Sequence, residues 1–137
     1  MFTQWGGEYC PKIVAETDAG VKKLFGWETP SNSSEYESFL SSFLPALVTE
    51  LEKWGVQDRC CFHLTDEPHA NHLENYANCR ARVKKHIKRM PILDALSDYS
   101  FFEKGLVDIP VVCTNRYRTF IDNKTKNIFA YYCCVPS

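Results

Sequence analysis

The chain of 137 residues lacks the features that most directly assign a protein to a class. No apolar run approaches the roughly 18 to 20 residues that a bilayer-spanning helix needs, so we predict no membrane segment. The first residues, Met1 to Gly7, include neither a basic stretch nor an apolar one, and we therefore predict no signal peptide. The net charge of −1 gives no electrostatic reason to expect nucleic acid as a partner.

The seven cysteines do not follow a pattern typical of disulfides or of a zinc site. Their number is odd, no two are separated by two residues, and four of them form the adjacent pairs Cys60-Cys61 and Cys133-Cys134. Because these pairs lie in apolar, strand-like runs, we interpret the cysteines as buried free thiols. Free thiols favour a reducing compartment and, together with the missing signal peptide, a cytoplasmic location.

The spacing of apolar residues predicts alternating strands and helices in a single domain of residues 1–137, with no internal repeat. A capping box at Ser34 begins a long amphipathic helix, which Pro45 should kink or split and Gly55 should end. The predicted elements are a hairpin of strands 12–15 and 21–25, helix 34–54, strand 61–64, helix 71–90, strand 91–96, helix 101–106, strand 109–113 and strand 128–135. We assign Trp54 and Phe62 to the core.

Near-continuous apolar strands separated by helices are typical of a parallel α/β sheet. Polar residues come directly after three of the strands: Asp66 and Glu67, Ser97 and Asp98, Thr114 and Asn115. Since ligands bind at the carboxyl ends of parallel strands, we expect these residues to gather at one side of the molecule. The sequence therefore predicts a site built from several strand ends.

Asp66 and Glu67 are the most informative pair, because two adjacent carboxylates repel each other and are seldom placed at a strand end without a use. Paired acids suit general acid–base chemistry, in which one group donates a proton and the other stays ionised. Adjacent residues of a regular strand point to opposite sides, so the two acids can share a substrate only if the chain turns there. Pro68 is consistent with such a turn.

Several blocks of the sequence, taken in order, resemble the catalytic domain of glycoside hydrolase family 123. The resemblance extends through essentially the whole chain, and it is most specific around Asp66-Glu67 and Tyr131-Tyr132. The blocks are Gln4-Trp5-Gly6-Gly7, Phe25-Gly26-Trp27, Phe62-His63-Leu64-Thr65-Asp66-Glu67-Pro68, Asp94-Ala95-Leu96-Ser97, Lys104-Gly105-Leu106-Val107-Asp108 and Tyr131-Tyr132-Cys133.

The resemblance implies a β-N-acetylhexosaminidase, acting on terminal N-acetylgalactosaminides, in which the substrate's own 2-acetamido oxygen is the nucleophile. Glu67 would be the acid and base, and Asp66 would orient the acetamido group. Sugar binding would involve Trp5, Trp27, His63, Asp94, Asn115 and Tyr131. The substrate would be a carbohydrate, and we expect no cofactor or metal. The residues themselves do not distinguish galacto- from gluco-configured substrates.

The fold implied by the resemblance is an α/β, (β/α)8 TIM barrel, of which this chain would cover roughly strands 3–7. A complete barrel needs eight strands and about 250 residues, so we expect a partial barrel. Its unpaired sheet edges would favour self-association. An open cleft weakens electrostatic catalysis, and we therefore expect weak or no activity from this chain alone.

Three other interpretations of the acid pair remain open at this point. The first is a metal hydrolase that uses His63, Asp66, Glu67, His69 and His72, although H-E-x-x-H is absent. The second is a carbohydrate-binding or relic module, whose acids bind sugar hydroxyls without cleavage. The third is a structural acid pair that stabilises the dipole of the following helix. A serine nucleophile is not predicted, because G-x-S-x-G is absent.

Overall fold

The structure, a computed structural model, describes residues 9–132 and has a mixed α/β fold. Two short strands form an antiparallel hairpin, and three later strands form a parallel sheet in the order β3-β4-β5. The elements are β1 Ile13–Thr17, β2 Gly20–Phe25, α1 Ser34–Lys53, α2 Leu73–Lys84, β3 Leu93–Leu96, α3 Ser100–Glu103, β4 Ile109–Cys113, α4 Tyr117–Asp122 and β5 Phe129–Tyr131. Single 3-10 turns lie at Gln57–Arg59 and Ala70–His72.

The parallel sheet has one side in the core and one side that is only partly covered. Asp94 and Leu96 of β3 and Val112 of β4 are buried. Their neighbours along the strands, Ala95 and Val111, are paired with each other and half-buried. The buried side packs in one cluster with residues of α1 and α2: Tyr36, Leu40, Leu44, Tyr76, Cys79 and Val83. The helices therefore cover one side of the sheet.

Helix α1 forms for the reasons that its sequence predicts, with its first turn shifted by one residue. Ser33 caps the helix, and its side chain accepts a hydrogen bond from the backbone N–H of Tyr36 at 3.3 Å. Pro45 lies within the helix without splitting it. Trp54, predicted to be in the core, is 69% exposed. The helix has ended by this residue, and Gly55 turns the chain with a φ of +65°.

The strand predicted at 61–64 is reduced to a single parallel bridge between Phe62 and Ile92. Phe62 itself is 8% exposed, which confirms its core assignment. Phe62 N–H donates to Pro91 O at 2.8 Å, and Leu93 N–H donates to Phe62 O at 3.0 Å. The bridge places this segment beside β3, so the parallel arrangement runs from Phe62 through β3 and β4 to β5.

Two helices differ from the predicted elements. Helix α2 covers Leu73–Lys84 instead of 71–90, because a 3-10 turn precedes it and His86 and Ile87 both bond back to Val83 O. Helix α4 was not predicted, although it contains the apolar or aromatic residues Tyr117, Phe120 and Ile121. The final strand begins one residue later than predicted and ends at Tyr131, and residues 133–135 of the prediction lie outside the described residues.

The cysteines of the described part are free thiols, as predicted. Cys10, Cys79 and Cys113 are buried, and burial raises the pKa of Cys10 to about 11. Cys61, in contrast, is exposed, so the prediction of burial is wrong for this residue. Cys133 and Cys134 lie outside the described residues. Between residues 9 and 132, no helix is both long enough and apolar enough to cross a membrane.

Candidate active site

A cleft of about 720 Å³ lies at the carboxyl ends of the parallel segments. Glu67 and His69 line it from the segment that follows Phe62, and Ser97, Asp98 and Tyr99 line it from the end of β3. The end of β4 and the start of α4 contribute Cys113, Asn115, Arg116 and Thr119. Of the polar strand-end residues predicted to gather at one side of the molecule, four line this cleft (Glu67, Ser97, Asp98 and Asn115), whereas Asp66 and Thr114 do not.

Glu67 lines the cleft from an unusual backbone conformation. Its φ is +41°, in the left-handed region that side-chain-bearing residues seldom adopt. The chain bends at Asp66 and Glu67, and the following Pro68 is buried. The predicted turn at the strand end is therefore present. Such a conformation costs on the order of 1 to 3 kcal/mol, and it persists only where the surrounding structure holds it.

Asp66 is exposed and lies beside the cleft, outside the residues that line it. The bend therefore directs Glu67 into the cleft and leaves Asp66 at its border. The charge of Asp66 also acts on the nearby His63 ring.

The carboxylate of Asp94 is fully buried and is surrounded by donors. The backbone N–H of Leu64 donates to Oδ1 at 2.7 Å, and that of Thr65 donates to Oδ2 at 3.3 Å. The hydroxyl of Tyr76 in α2 donates a short hydrogen bond to Oδ2. The ring Nδ1 of His63 lies 2.8 Å from Oδ1. Asp94 thus joins the strand end, helix α2 and β3 at one buried point.

His63 is half-buried, and its ring is held between two oxygens of β3. Besides the Asp94 carboxylate, Nδ1 lies 3.4 Å from the carbonyl oxygen of Leu93. The hydrogen bond to Asp94 raises the pKa of His63 above its ordinary value, although burial opposes the change. Burial and the same carboxylate raise the pKa of the Tyr76 hydroxyl, which therefore stays a donor.

Tyr99 is a cleft residue that the sequence analysis did not identify. Its ring packs edge to face on Phe120 with centroids 5.1 Å apart, and it lies 6.0 Å from Phe102. A half-buried aromatic ring fixed at the wall of a cleft is suited to contact with the apolar face of a sugar. Its position directly after Ser97-Asp98, at the end of a predicted strand, was a usable signal.

Arg116, which was not predicted, and Asp98, which was predicted only as one of the polar strand-end residues, also line the cleft. Asp98 accepts the backbone N–H of Ser100 at 2.9 Å, which caps α3. Arg116 immediately precedes α4, and no carboxylate of the described residues lies within ion-pair distance of its guanidinium.

The remaining predicted binding residues are not all brought together. Asn115 lines the cleft, whereas Trp27 is 80% exposed after the hairpin and does not. Tyr131 pairs with the cleft residue Cys113 across β4 and β5, so both side chains lie on the same side of the sheet. The Tyr131 hydroxyl is buried and has no hydrogen-bond partner among residues 9–132. Trp5 lies outside the described residues.

The histidines considered for a metal site are engaged with other groups of the protein, and the ring centroids of His69 and His72 lie 5.8 Å apart. His63 is held by Asp94, and Nδ1 of His72 accepts the backbone N–H of His69 at 3.3 Å. Within the described part of the chain, no three side chains of the histidine, cysteine, aspartate and glutamate types are grouped to hold a metal ion.

The basic residues near the end of α2 are engaged with the protein's own acceptors. Lys84 and Arg80 contact Asp108 at 3.2 Å and 3.3 Å. Lys85 lies 3.3 Å from Glu37. These contacts are part of the packing between α2 and its neighbours.

The family model described as "Glycoside hydrolase 123, catalytic domain" matches residues 1–137, the whole chain. The chain therefore belongs to glycoside hydrolase family 123. As a member of that family it is a glycoside hydrolase domain, and the expected substrate is a carbohydrate. Among curated proteins, no sequence matches this chain.

Proposed function

We propose that this protein hydrolyses terminal β-N-acetylgalactosaminides with retention of configuration, by a substrate-assisted mechanism. The observation that carries the proposal is the position of Glu67, which lines a polar cleft at the strand ends from a left-handed backbone conformation. Strain of this kind at an acidic cleft residue supports a functional role, because selection for stability alone would favour glycine there.

In the proposed reaction, the Glu67 carboxyl donates its proton to the glycosidic oxygen as the bond to the anomeric carbon breaks. The acetamido oxygen of the substrate attacks that carbon from the opposite face and forms an oxazolinium ring. Glu67 then accepts a proton from water, whose oxygen opens the ring at the same carbon. Asp66, adjacent in the chain, accepts the acetamido N–H and stabilises the positive charge of the ring.

Other residues have separate roles in the proposal. Asn115 lines the cleft, and Tyr131 has a buried hydroxyl without a described partner, so both are candidates to bind sugar hydroxyls. Trp5 and Trp27 remain candidates for stacking on a sugar. His63 and Asp94 would act behind the site, since Asp94 has no exposed surface.

We further propose that residues 1–137 form one domain, equivalent to strands 3–7 of a (β/α)8 barrel. The parallel order of the Phe62 segment, β3, β4 and β5 supports this proposal. At the outer edge, Phe129 of β5 is 58% exposed, which favours self-association. Sedimentation velocity tests this point, and a mass that stays monomeric at all concentrations would contradict it.

Non-catalytic carbohydrate binding is the second candidate function. It is favoured by the partial cover over one side of the sheet, where Leu93, Ala95, Ile109 and Val111 are only half-buried. A cleft bordered by such a surface admits water, which weakens electrostatic stabilisation of a transition state.

Release of nitrophenol from the aryl β-N-acetylgalactosaminide tests the proposal, with the aryl glucosaminide as the comparison. We expect slow turnover by the 137-residue chain and preference for the galactosaminide. Glu67→Gln should abolish turnover, whereas Glu52→Gln, at an exposed position of α1, should not change it. Sugar binding without turnover in every form, with the fold intact, would overturn catalysis in favour of binding alone.

A further inference from the structure

We propose that Asp94 is a positioning residue whose buried carboxylate forces the turn that holds Glu67 in its left-handed conformation at the cleft. Residues His63, Leu64, Thr65 and Tyr76 are the groups through which it acts; together with Asp94 we call them the Asp94 clamp. The role of Glu67 as the acid rests on the proposed function, whereas the Asp94 clamp concerns only the backbone conformation of Glu67.

The first support is the way in which strand pairing ends beside β3. Phe62 makes both backbone hydrogen bonds of a parallel bridge, with Pro91 and Leu93. In a continued parallel ladder, Leu64 N–H would donate to the carbonyl of Leu93. It donates instead to Asp94 Oδ1 at 2.7 Å, and the His63 ring lies at the Leu93 carbonyl. The side chain of Asp94 thus replaces the ladder at the position where the chain turns.

The second support is that the carboxylate is itself fixed. Its Oδ2 receives the hydroxyl of Tyr76 from α2 as well as the N–H of Thr65 at 3.3 Å. Neither Asp94 nor Tyr76 has exposed surface, so water cannot replace these bonds without opening the core. Hydrogen bonds to a buried charged group are stronger than neutral ones, and they hold residues 64 and 65 firmly.

The third support is the conformation immediately downstream. Glu67 follows Thr65 by two residues and has a φ of +41°. The other non-glycine residues with positive φ in the described chain, Lys124 and Asn127, lie in the turn between α4 and β5. A strained residue persists only where its neighbours determine the path of the chain, and the Asp94 clamp is the determinant on the N-terminal side of Glu67.

This proposal predicts a coupling between two positions. At a left-handed position glycine is more stable than alanine, whereas at an ordinary position it is less stable. If the clamp enforces the strain, the preference for glycine at position 67 should disappear when the clamp is released. A purely structural role for Asp94 would lower stability but leave that preference unchanged.

The test is a thermal-unfolding cycle on the 137-residue chain. Glu67→Gly and Glu67→Ala are compared in the native background and again with Asp94→Asn. We expect the glycine variant to melt about 4 °C above the alanine variant in the native background, and no higher than it with Asp94→Asn. Lys124→Gly and Lys124→Ala are the matched control, and their difference should be the same in both backgrounds.

Tyr76→Phe is a milder clamp variant than Asp94→Asn, because it removes a single donor to Asp94 and keeps the ring. In that background the glycine preference at position 67 should fall to about half of its native value. An NMR measurement of the Glu67 amide–Hα coupling constant in Tyr76→Phe gives a second reading of φ. A glycine preference that stays constant in both clamp variants, with an unchanged coupling constant, overturns the proposal.

Activity measurements separate this inference from the proposed function. If the clamp positions the acid, Tyr76→Phe should lower kcat with little change in KM. Loss of the glycine preference without turnover in any form would support the clamp and reject the hydrolase mechanism. Turnover that depends on Glu67 but not on Tyr76, with the glycine preference retained, would support the mechanism and reject the clamp.

Discussion

Asp94 and Glu67 belong to neighbouring parallel segments, and their carboxyl groups have opposite surroundings. Asp94 has no exposed surface, and its two oxygens are approached by the Leu64, Thr65, Tyr76 and His63 donors. Glu67 lines an open cleft, and within residues 9–132 its carboxyl has no hydrogen-bond or ion-pair partner.

Two uses of an acid in neighbouring parallel segments can therefore be distinguished, since Glu67 lies where its segment turns and Asp94 lies within β3. A carboxylate that is saturated with donors stabilises the fold, because each partner would lose its bond if the acid were removed. A carboxylate that faces a cleft without an internal partner is available to a ligand, and here its backbone is strained as well. Sequence proximity does not distinguish them, since both follow apolar strand-like runs.

The largest expected effect is on activity, and it tests directly whether Glu67 differs from Asp94 in being available to a ligand. Glu67→Gln should lower kcat by about 100-fold or more, because the amide cannot donate and accept the transferred proton. Its melting temperature should stay close to that of the native chain, since no internal bond is lost. The measurement is nitrophenol release with parallel thermal unfolding. Equal turnover by the variant would remove the distinction between the two acids.

The second effect is on stability and concerns Asp94→Asn. The asparagine amide keeps one acceptor oxygen, and its N–H groups face side chains and backbone groups that are themselves donors. The free energy of unfolding should therefore fall by about 3 kcal/mol. Urea unfolding measures the difference. The control is Asp58→Asn, whose exposed ion pair with Arg89 should contribute no more than about 0.5 kcal/mol. Similar losses of unfolding free energy in both variants would show that the bonds of Asp94 stabilise the fold no more than an exposed ion pair does.

A smaller effect is expected from Tyr76→Phe. The phenylalanine ring keeps the edge-to-face contact with Phe101, at 5.1 Å, and removes only the hydroxyl that donates to Asp94. The free energy of unfolding should fall by roughly 1 to 2 kcal/mol. Tyr132→Phe, at an exposed position, is the control and should have no measurable effect. A neutral result for both would mean that the Tyr76 hydroxyl is dispensable to the clamp.

The smallest effect is on the pH dependence of stability, through His63. Its pKa is raised in the folded protein, so protonated His63 stabilises the fold fully below the ordinary value of 6.5. This contribution is lost as the pH rises above 6.5 and passes through the raised pKa. Urea unfolding between pH 6 and 9, in native chain and His63→Gln, should therefore show a falling stability that the variant lacks. Identical pH profiles would contradict the His63–Asp94 pairing.

The acid pair and its place at the strand ends were predictable from the sequence, because both follow from the order of the elements along the chain. Polar residues that follow parallel strands must meet at one edge, so Glu67 and Asn115 were correctly placed together. The turn at Glu67 was also predictable, since two acids in a regular strand cannot face one ligand. Helix α4 was missed because it leaves no strong local periodicity, and the strand predicted at 61–64 is reduced to a single bridge at Phe62.

Asp94 shows where sequence reasoning stops. The family resemblance implied that it binds sugar, and nothing local indicates that its side chain is on the helix-covered side of the sheet. Which side of a strand faces the helices depends on register, and a shift by one residue would exchange the two sides.

By itself, the sequence determined the α/β class, the family, and the segment that carries the acids, because these depend on composition, order and local motifs. Only the tertiary structure decided which acid is buried and which is exposed to the cleft. The physical reason is that the donors around Asp94 come from residues 63–65 and from Tyr76. Both lie far from Asp94 in the chain, and they reach it only when α2 packs on the sheet.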